Sequence, residues 1–348
     1  MLTQKDRILA HLLKEKEYDL VEVEMQLFEN CNLRCAFCSQ DHRASLEQAS
    51  LKSLMNKADL VKDYMRDHPG KDFKFNLMGG EIFQDHFSDE HFENLFALAR
   101  RLREDCDAHG KTARFMFTTN LIFEKYGRVE SLLDRISAEL GPAQLATSFD
   151  FVGRNWNAQQ RELFKANVER LRERIRLVGV VLHRLSIDKM IEQRDSLFDW
   201  LYQRVPVVFE YYIPDLKQQD LFSPSDEDNL RAWKFLAKNY PNVEPIRRWL
   251  NQEFNEVKCC SLNRLTVLAN DTISSCRYFP YRPSDFKTPL DRFSISEMAL
   301  KFIDEQGCLS CSHFNRCGLH CFVQADRARR EQKASCFIKE FFDEALHG

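Results

Sequence analysis

Three cysteines near the N-terminus are spaced closely enough to bind metal together. They stand in the segment Cys31-Asn32-Leu33-Arg34-Cys35-Ala36-Phe37-Cys38, whose spacing is C-x3-C-x2-C. Three thiolates on one short loop can hold three irons of a cubane cluster and leave the fourth iron open to another ligand, as catalysis requires. With His42 as a fourth ligand, the same segment fits a closed structural zinc site. Both interpretations stay open at this point.

A second cysteine cluster lies near the C-terminus. The chain has 12 cysteines, and eight of them fall between residues 259 and 336. These eight are Cys259, Cys260, Cys276, Cys308, Cys311, Cys317, Cys321 and Cys336. In a reducing compartment such clustering indicates metal ligation rather than disulfides, and one or two zinc sites are the alternative to iron. Cys106 stands alone in a predicted helix and is expected to be an ordinary thiol.

Composition is that of a water-soluble protein with a core. The chain has 348 residues, 44% hydrophobic and 30% charged, and a net charge of -3 from 50 basic and 53 acidic residues. Because neither charge dominates, we expect no nucleic-acid or membrane partner. The N-terminal residues are too polar for a signal peptide, and no apolar run reaches the length of a membrane span. We therefore expect a cytoplasmic protein.

Alternating strands and helices must position the first cysteine loop. Residues 21–27 alternate apolar and polar, which predicts a strand that leads into Cys31. Further strands are predicted over 73–78, 113–118, 143–149, 174–182 and 205–212. Helices are predicted over 1–16, 88–105, 127–139, 157–173, 190–203 and 226–239. Six strands with intervening helices predict parallel pairing, hence an α/β fold with an open sheet or partial barrel.

The pattern changes towards the C-terminus. From residue 259 onward we expect a small metal-organised domain, with a hairpin over 263–276 and a terminal helix that contains Phe337, Phe341 and Phe342. The domain boundary is expected near 240–258. This predicts a barrel domain over 1–240 and a cysteine-rich domain over 241–348.

The first cysteine loop resembles the cluster loop of the radical S-adenosylmethionine (SAM) superfamily. Phe37, before the last cysteine, matches an aromatic residue whose backbone lies near the adenine of SAM in that family. The resemblance implies a partial (β/α)6 TIM-like barrel. It also implies SAM as cofactor and a [4Fe-4S] cluster held by Cys31, Cys35 and Cys38.

Four elements at predicted strand ends support that resemblance. Gly79, Gly80 and Glu81 resemble the family's Gly-Gly-Glu-Pro motif, with Ile82 in place of proline. The other three elements are Thr119-Asn120, where Leu121 replaces the family's glycine, Ser148 with Asp150, and Val180 in a later strand. The resemblance implies that these residues bind SAM. Active sites of such folds gather at the carboxyl ends of the strands.

The C-terminal cysteines resemble the SPASM domain of radical SAM enzymes that modify peptides. Asp271 stands where that family often has glycine. The resemblance implies two auxiliary [4Fe-4S] clusters. Cys260, Cys276 and Cys321, with Cys259 as a further candidate, would hold the nearer one. Cys308, Cys311, Cys317 and Cys336 would hold the distal one.

The resemblance implies an oxidoreductase that cleaves SAM to a 5'-deoxyadenosyl radical, which takes hydrogen from a peptide or protein side chain and leads to a crosslink or related oxidation. It further implies a flavodoxin or ferredoxin-type electron donor, and a separate leader-binding protein is a candidate partner. One alternative is a radical SAM dehydrogenase of a sugar or aminocyclitol; another is a zinc-stapled binding module without redox chemistry. No catalytic side chain is identified, although Glu210, Tyr211 and Tyr212 stand near a late strand end.

Overall fold

The computed structural model describes residues 20–38, 40–212, 219–251, 264–274, 303–304, 307–313 and 336–345. The predicted helix over 1–16 lies outside these residues. So do five of the predicted metal ligands, namely Cys259, Cys260, Cys276, Cys317 and Cys321.

One sheet organises the described part of the chain. Its strands are β1 (Leu20–Gln26), β2 (Asp72–Met78), β3 (Thr112–Thr118), β4 (Ala143–Phe149), β5 (Ile175–Leu182), β6 (Val207–Tyr211), β7 (Arg264–Val267) and β8 (Ile273–Ser274). The strand order is β6-β5-β4-β3-β2-β1-β7-β8. Each strand from β1 to β5 pairs in parallel with the next one along the chain. The six predicted strands and the α/β class are confirmed.

Of the α-helices in the described residues, the first six connect the parallel strands and the last four follow β6. They are α1 (Leu51–Asp67), α2 (Asp89–Asp107), α3 (Tyr126–Glu139), α4 (Ala158–Arg170), α5 (Arg184–Glu192), α6 (Ser196–Tyr202), α7 (Gln219–Phe222), α8 (Asp226–Asn239), α9 (Ile246–Leu250) and α10 (Phe337–Ala345). The predictions of α2, α3, α4, α8 and the terminal helix are confirmed, with differences at the ends.

The prediction of a single helix over 190–203 is wrong. The chain forms α5 and α6 instead, because Asp195 caps the second helix. Its carboxylate accepts the backbone N–H groups of Leu197 and Phe198, at 2.8 and 3.2 Å. An N-cap of this kind starts a new helix, and α5 has already ended at Glu192.

The sheet has a fully buried face and a concave, partly exposed face. On β1, Val21, Val23 and Met25 are buried, whereas Glu22 between them is partly exposed. Glu210 of β6 interacts electrostatically with Glu22, although the two strands are five positions apart in the sheet. The sheet therefore curves as in a partial barrel, with the helices covering its outer face.

Two C-terminal elements pack on the barrel. The predicted hairpin is present as the antiparallel pair β7–β8, and β7 also pairs in parallel with β1. Helix α10 packs on α8 and α9 through aromatic side chains, with the rings of Trp249 and Phe341 at 5.6 Å. The domain boundary and the iron–sulfur character of the tail stay predictions.

Among the described residues, no helix combines the length and apolar character needed to cross a membrane.

Candidate active site at the carboxyl ends of the strands

The cysteine loop begins on a stem that extends the pairing of β1 with β2. Gly80 N–H donates to the Phe28 carbonyl at 2.8 Å, and Glu81 N–H donates to the Asn30 carbonyl at 3.0 Å. A Cβ atom on Gly80 would lie 1.8 Å from the Asn30 oxygen, and one on Gly79 would lie 2.7 Å from the Phe28 oxygen. Both glycines are needed because the loop stem passes too close for any side chain.

The three thiols of the loop are each half-buried. Burial raises the pKa of Cys31 to about 12 and the pKa of Cys38 to about 11, and it also raises the pKa of Cys35. Cys35 and Cys38 add a further increase to the pKa of Cys31, because thiolates repel each other. A bound metal would reverse these shifts, since thiolates are stabilised by metal coordination.

Two asparagines attach the loop to the end of β3. Asn120 Nδ2 donates to Asn32 Oδ1 at 2.7 Å and lies 3.9 Å from the Cys31 sulfur. Asn32 Nδ2 in turn donates to the Ile122 carbonyl at 2.7 Å. The predicted site residue Asn120 thus contacts the cysteine loop directly.

Glu81 connects the ends of β2 and β3 from a fully buried position. Its carboxylate accepts from Thr119 Oγ1 at 2.7 Å, from Asn120 N–H at 2.6 Å and from Phe83 N–H at 2.9 Å. Burial raises its pKa against the opposing effect of these donors. Glu81 and Thr119 therefore join the ends of β2 and β3, and their predicted contact with SAM stays a prediction.

Asp150 and His183 support the other side of the loop. Asp150 Oδ2 lies 2.8 Å from His183 Nε2, and both side chains are buried. The His183 ring lies 5.2 Å from the Phe37 ring, and Ala36 N–H donates to the Gly153 carbonyl at 2.7 Å. The predicted residues Phe37 and Asp150 therefore meet through a histidine that follows β5.

Arg154 brings a buried positive charge to the site. It is 8% exposed, and its guanidinium donates to Ser148 Oγ. It lowers the pKa values of Cys35 and Cys38 against the effect of burial, so its charge acts at the thiols. Its Nε atom is buried without a hydrogen-bond partner. A buried donor in this state favours an anionic ligand.

The predicted site residue Val180, and Leu121 at the family's glycine position, have a different environment. Val180 is fully buried in the hydrophobic core, whereas its neighbours Gly179 and Val181 are partly exposed. Leu121, which replaces the family's glycine, has a left-handed φ of 59° and is fully buried. The Leu121 carbonyl accepts from Asn167 Nδ2 at 3.0 Å, which helps to hold this strained turn.

His42 stands beside the loop as the zinc interpretation requires. Its carbonyl accepts Cys31 N–H at 3.3 Å, and its Nδ1 atom is buried without a hydrogen-bond partner. Among the described residues, however, no three His, Cys, Asp or Glu side chains converge closely enough to hold one metal ion. A cubane does not require such convergence, because each thiolate binds a different iron.

Sequence reasoning did not find Arg154, His183 or Asn167. His183 directly follows the apolar run of β5, so its place at a strand end was a usable signal. Arg154 and Asn167 act across the fold, on the cysteine loop and on the 121–123 turn, and their local sequence gives no such signal.

Comparison with known proteins found likenesses among solved structures only. No protein-family model and no curated protein matches the chain. A solved structure of methylornithine synthase is similar over 86% of this chain and 86% of that one, with 11% identity and a TM-score of 0.41. Coproporphyrinogen III oxidase from Escherichia coli, a radical SAM enzyme, is similar over 73% of this chain and 63% of that one, with 13% identity and a TM-score of 0.41. An O-GlcNAc hydrolase of Thermobaculum terrenum is similar over 95% of this chain and 82% of that one, with 11% identity and a TM-score of 0.33. At these scores the likenesses carry no argument, and the function must be argued from the residues of the site.

Proposed function

We propose that this protein is a radical SAM enzyme whose N-terminal cysteine loop holds a catalytic [4Fe-4S] cluster. One observation carries the proposal: the C-x3-C-x2-C loop is attached to the carboxyl ends of β2, β3 and β4 and packs on His183 after β5. An isolated zinc staple would not need to be fastened to several barrel strands, whereas a catalytic cluster must face the space where substrate binds.

The chain's own residues would hold the cluster and its cofactor. Cys31, Cys35 and Cys38 would bind three irons. When bound, the cluster and SAM together supply the 5'-deoxyadenosyl radical that takes a hydrogen atom from the substrate. Arg154, a buried cation with an unpartnered Nε atom, would bind the carboxylate of the cofactor. Asn120 and Ser148, at the carboxyl ends of β3 and β4, would orient the other polar groups of SAM.

Glu81 and His183 would act on the geometry of the site. The buried carboxylate of Glu81 joins the β2 and β3 ends, and the His183 ring lies 5.2 Å from the Phe37 ring. Both residues would keep the loop rigid, and a rigid support is needed because misplacement by about 1 Å lowers catalysis strongly. They are positioning residues in this proposal.

We propose further that the C-terminal cysteines hold two auxiliary [4Fe-4S] clusters and that the substrate is a peptide or protein side chain. Such clusters would accept the electron released when the substrate radical is oxidised. A flavodoxin or ferredoxin-type protein would supply the electron for cofactor cleavage, and a separate leader-binding protein would present the peptide. A small-molecule dehydrogenase is the alternative within the same chemistry.

Metal analysis after oxygen-free purification tests the proposal. We expect a brown protein with about twelve irons per chain, if all three clusters are filled. Cys35→Ala should lose about four of these irons, whereas the matched control Cys106→Ala, which removes a buried thiol on α2, should lose none. A colourless protein that holds only zinc would contradict the proposal.

A further inference from the structure

Two asparagine side chains hold each other in place beside the first sulfur of the cysteine loop. Asn120 Oδ1 accepts the backbone N–H of Ile122 at 2.8 Å, and Asn32 Nδ2 donates to the Ile122 carbonyl at 2.7 Å. One end of each amide is therefore fixed by the same backbone residue, which also determines the atom that each amide presents to the other. These free ends meet as a donor and an acceptor, with Asn120 Nδ2 at 2.7 Å from Asn32 Oδ1.

The Asn120 amide nitrogen has a second N–H group, and the sulfur of Cys31 lies beside it. An amide nitrogen carries two hydrogen-bond donors, of which Asn32 Oδ1 takes one. The Cys31 sulfur lies 3.9 Å from the same nitrogen. Because Asn120 is only 7% exposed, water has little access to the second donor. A buried donor needs an acceptor, and the sulfur is placed to be that acceptor.

The sulfur of Cys31 becomes a better acceptor when it binds metal. It already accepts the backbone N–H of Leu33 at 3.4 Å, and it lies 3.9 Å from Asn32 Oδ1. A free thiol can donate its proton to that oxygen. A metal-bound thiolate has no such proton and carries negative charge, so it gains most from N–H donors. The Asn120 amide therefore suits the metal-bound form of Cys31 better than the free thiol.

We propose that Asn120 donates a hydrogen bond to the Cys31 thiolate and thereby raises the reduction potential of the loop cluster. The inference rests on the function proposed above, because it assumes that Cys31, Cys35 and Cys38 hold a [4Fe-4S] cluster. Reduction adds one electron to that cluster, and part of the added negative charge lies on the sulfur ligands. A donor at such a sulfur stabilises the reduced form more than the oxidised form, and hydrogen bonds to the sulfurs help to set cluster potentials.

Asn120 is a positioning residue in this proposal, since it acts on the iron through Cys31. The amide orientation that aims its nitrogen at the sulfur leaves the second lone pair of Asn120 Oδ1 available to SAM. The electron donor would then meet a cluster that is easier to reduce than the thiolates alone would make it.

A redox titration of the anaerobically reconstituted protein, followed by electron paramagnetic resonance without SAM, tests the proposal. The signal of the loop cluster is the one that Cys35→Ala lacks and that changes when SAM is added to the parent. In Asn120→Ser we expect a lower midpoint potential, because the hydroxyl can still accept the Ile122 N–H but is too short to reach the sulfur. At the parent's midpoint, the ratio of reduced to oxidised cluster should fall about threefold or more, the effect of one net hydrogen bond.

Two further variants complete the test. Asn120→Asp should shift the midpoint further in the same direction, since it puts a carboxylate oxygen where the donor stood. Asn242→Ser makes the serine exchange at an exposed position after α8 and should leave the midpoint unchanged.

The sign of the shift separates a hydrogen bond to the sulfur from a mere loosening of the loop. Water admitted by a loosened loop would stabilise the more highly charged reduced cluster and would raise the midpoint. An unchanged or raised midpoint in Asn120→Ser, or an equal shift in Asn242→Ser, would overturn the proposal and leave the function proposed above in place. If the parent gave no signal that SAM alters and that Cys35→Ala lacks, both would be overturned.

Discussion

Gly80 lies where a side chain would collide with the stem of the cysteine loop. In Gly80→Ala the new Cβ would approach the Asn30 carbonyl oxygen to 1.8 Å, so the stem must move. Overpacking of this kind destabilises by about 1–3 kcal/mol. We expect a lower urea midpoint and a loss of the iron held by Cys31, Cys35 and Cys38, measured as iron per chain.

Gly127→Ala is the matched control, because a Cβ there has no neighbour within 4 Å. In helix α3 this change should be neutral or should stabilise by up to about 1 kcal/mol. Equal iron contents in the two variants would mean that the close approach at Gly80 does not position the loop.

The types and spacing of the cysteines could be predicted from sequence, because ligand spacing is a local property. The hydrogen-bond partners of Glu81 could not be predicted from the sequence. Its donors, Thr119 Oγ1 and Asn120 N–H, come from the next strand connection, and a glutamate after two glycines carries no local signal for them. Arg154 could not be found for a similar reason, since its burial beside the thiols depends on the folded loop.

At the scale of elements, Lys57 fastens the β7–β8 hairpin to helix α1. Its fully buried ammonium donates to the Leu268 and Ala269 carbonyls at 2.9 and 3.0 Å and pairs with Asp271 at 2.5 Å. Asp271 has a left-handed φ of 64°, a conformation that glycine adopts most easily. The aspartate at this position instead gains the ion pair with Lys57.

Lys57→Met should leave these acceptors without a donor and should destabilise the protein by about 2–4 kcal/mol. Hydrogen exchange of the 264–274 amides should become faster than in the parent. Lys52→Met, at an exposed position of the same helix, should change neither quantity. Unchanged hairpin exchange in Lys57→Met would show that β1 pairing alone holds the hairpin.

Glu22 connects three adjacent strands, and its effect on stability should depend on pH. Burial opposes ionisation, but Arg264 and Lys74 hold its pKa at about 2, below the ordinary 4.5. Because the folded-state pKa is lowered, its stabilisation is present above about pH 4.5 and is lost as the pH falls towards 2. Glu22→Gln should therefore be less stable than the parent by about 2–3 kcal/mol at neutral pH.

That difference between parent and Glu22→Gln should shrink in urea unfolding series as the pH falls from about 4.5 to about 2. If the difference kept a constant size across the series, Glu22 would not be the ionised partner of Lys74 and Arg264. Glu162→Gln, which removes a carboxylate from an exposed position of α4, is the control and should show no such pH dependence.

The strands were predictable because their apolar alternation is a short-range pattern, and each observed strand lies within two residues of its prediction. Helix α1 gave a comparable signal, with Ser50 as N-cap and Leu54, Ala58, Val61 and Met65 buried along one face, yet no element was predicted there. The break between α5 and α6 depends on one capping side chain, Asp195, which periodicity cannot detect.

At the scale of the whole molecule, an aromatic cluster fixes the C-terminal helix to the barrel. Phe341 of α10 is 1% exposed and contacts Trp249 of α9. Phe341→Ala should destabilise by about 3–5 kcal/mol, the usual cost of removing a buried aromatic ring. Since α10 directly follows Cys336, this variant should also lose iron from the tail, whereas the exposed control Lys339→Ala should not.

Full iron content in Phe341→Ala would mean that the packing of α10 on the barrel is not needed for the proposed metal binding of the tail. The order of the sheet, in which β7 adds to β1, could not be predicted from sequence. Pairing between strands more than 200 residues apart leaves no local pattern.

Formation of 5'-deoxyadenosine from SAM by the anaerobic, reduced protein tests the central claim most directly. The parent and Cys106→Ala should both form it, and Cys35→Ala should form none above the background without enzyme. Equal rates in the parent and in Cys35→Ala would contradict the account, because the iron left open by the loop thiolates would then play no part.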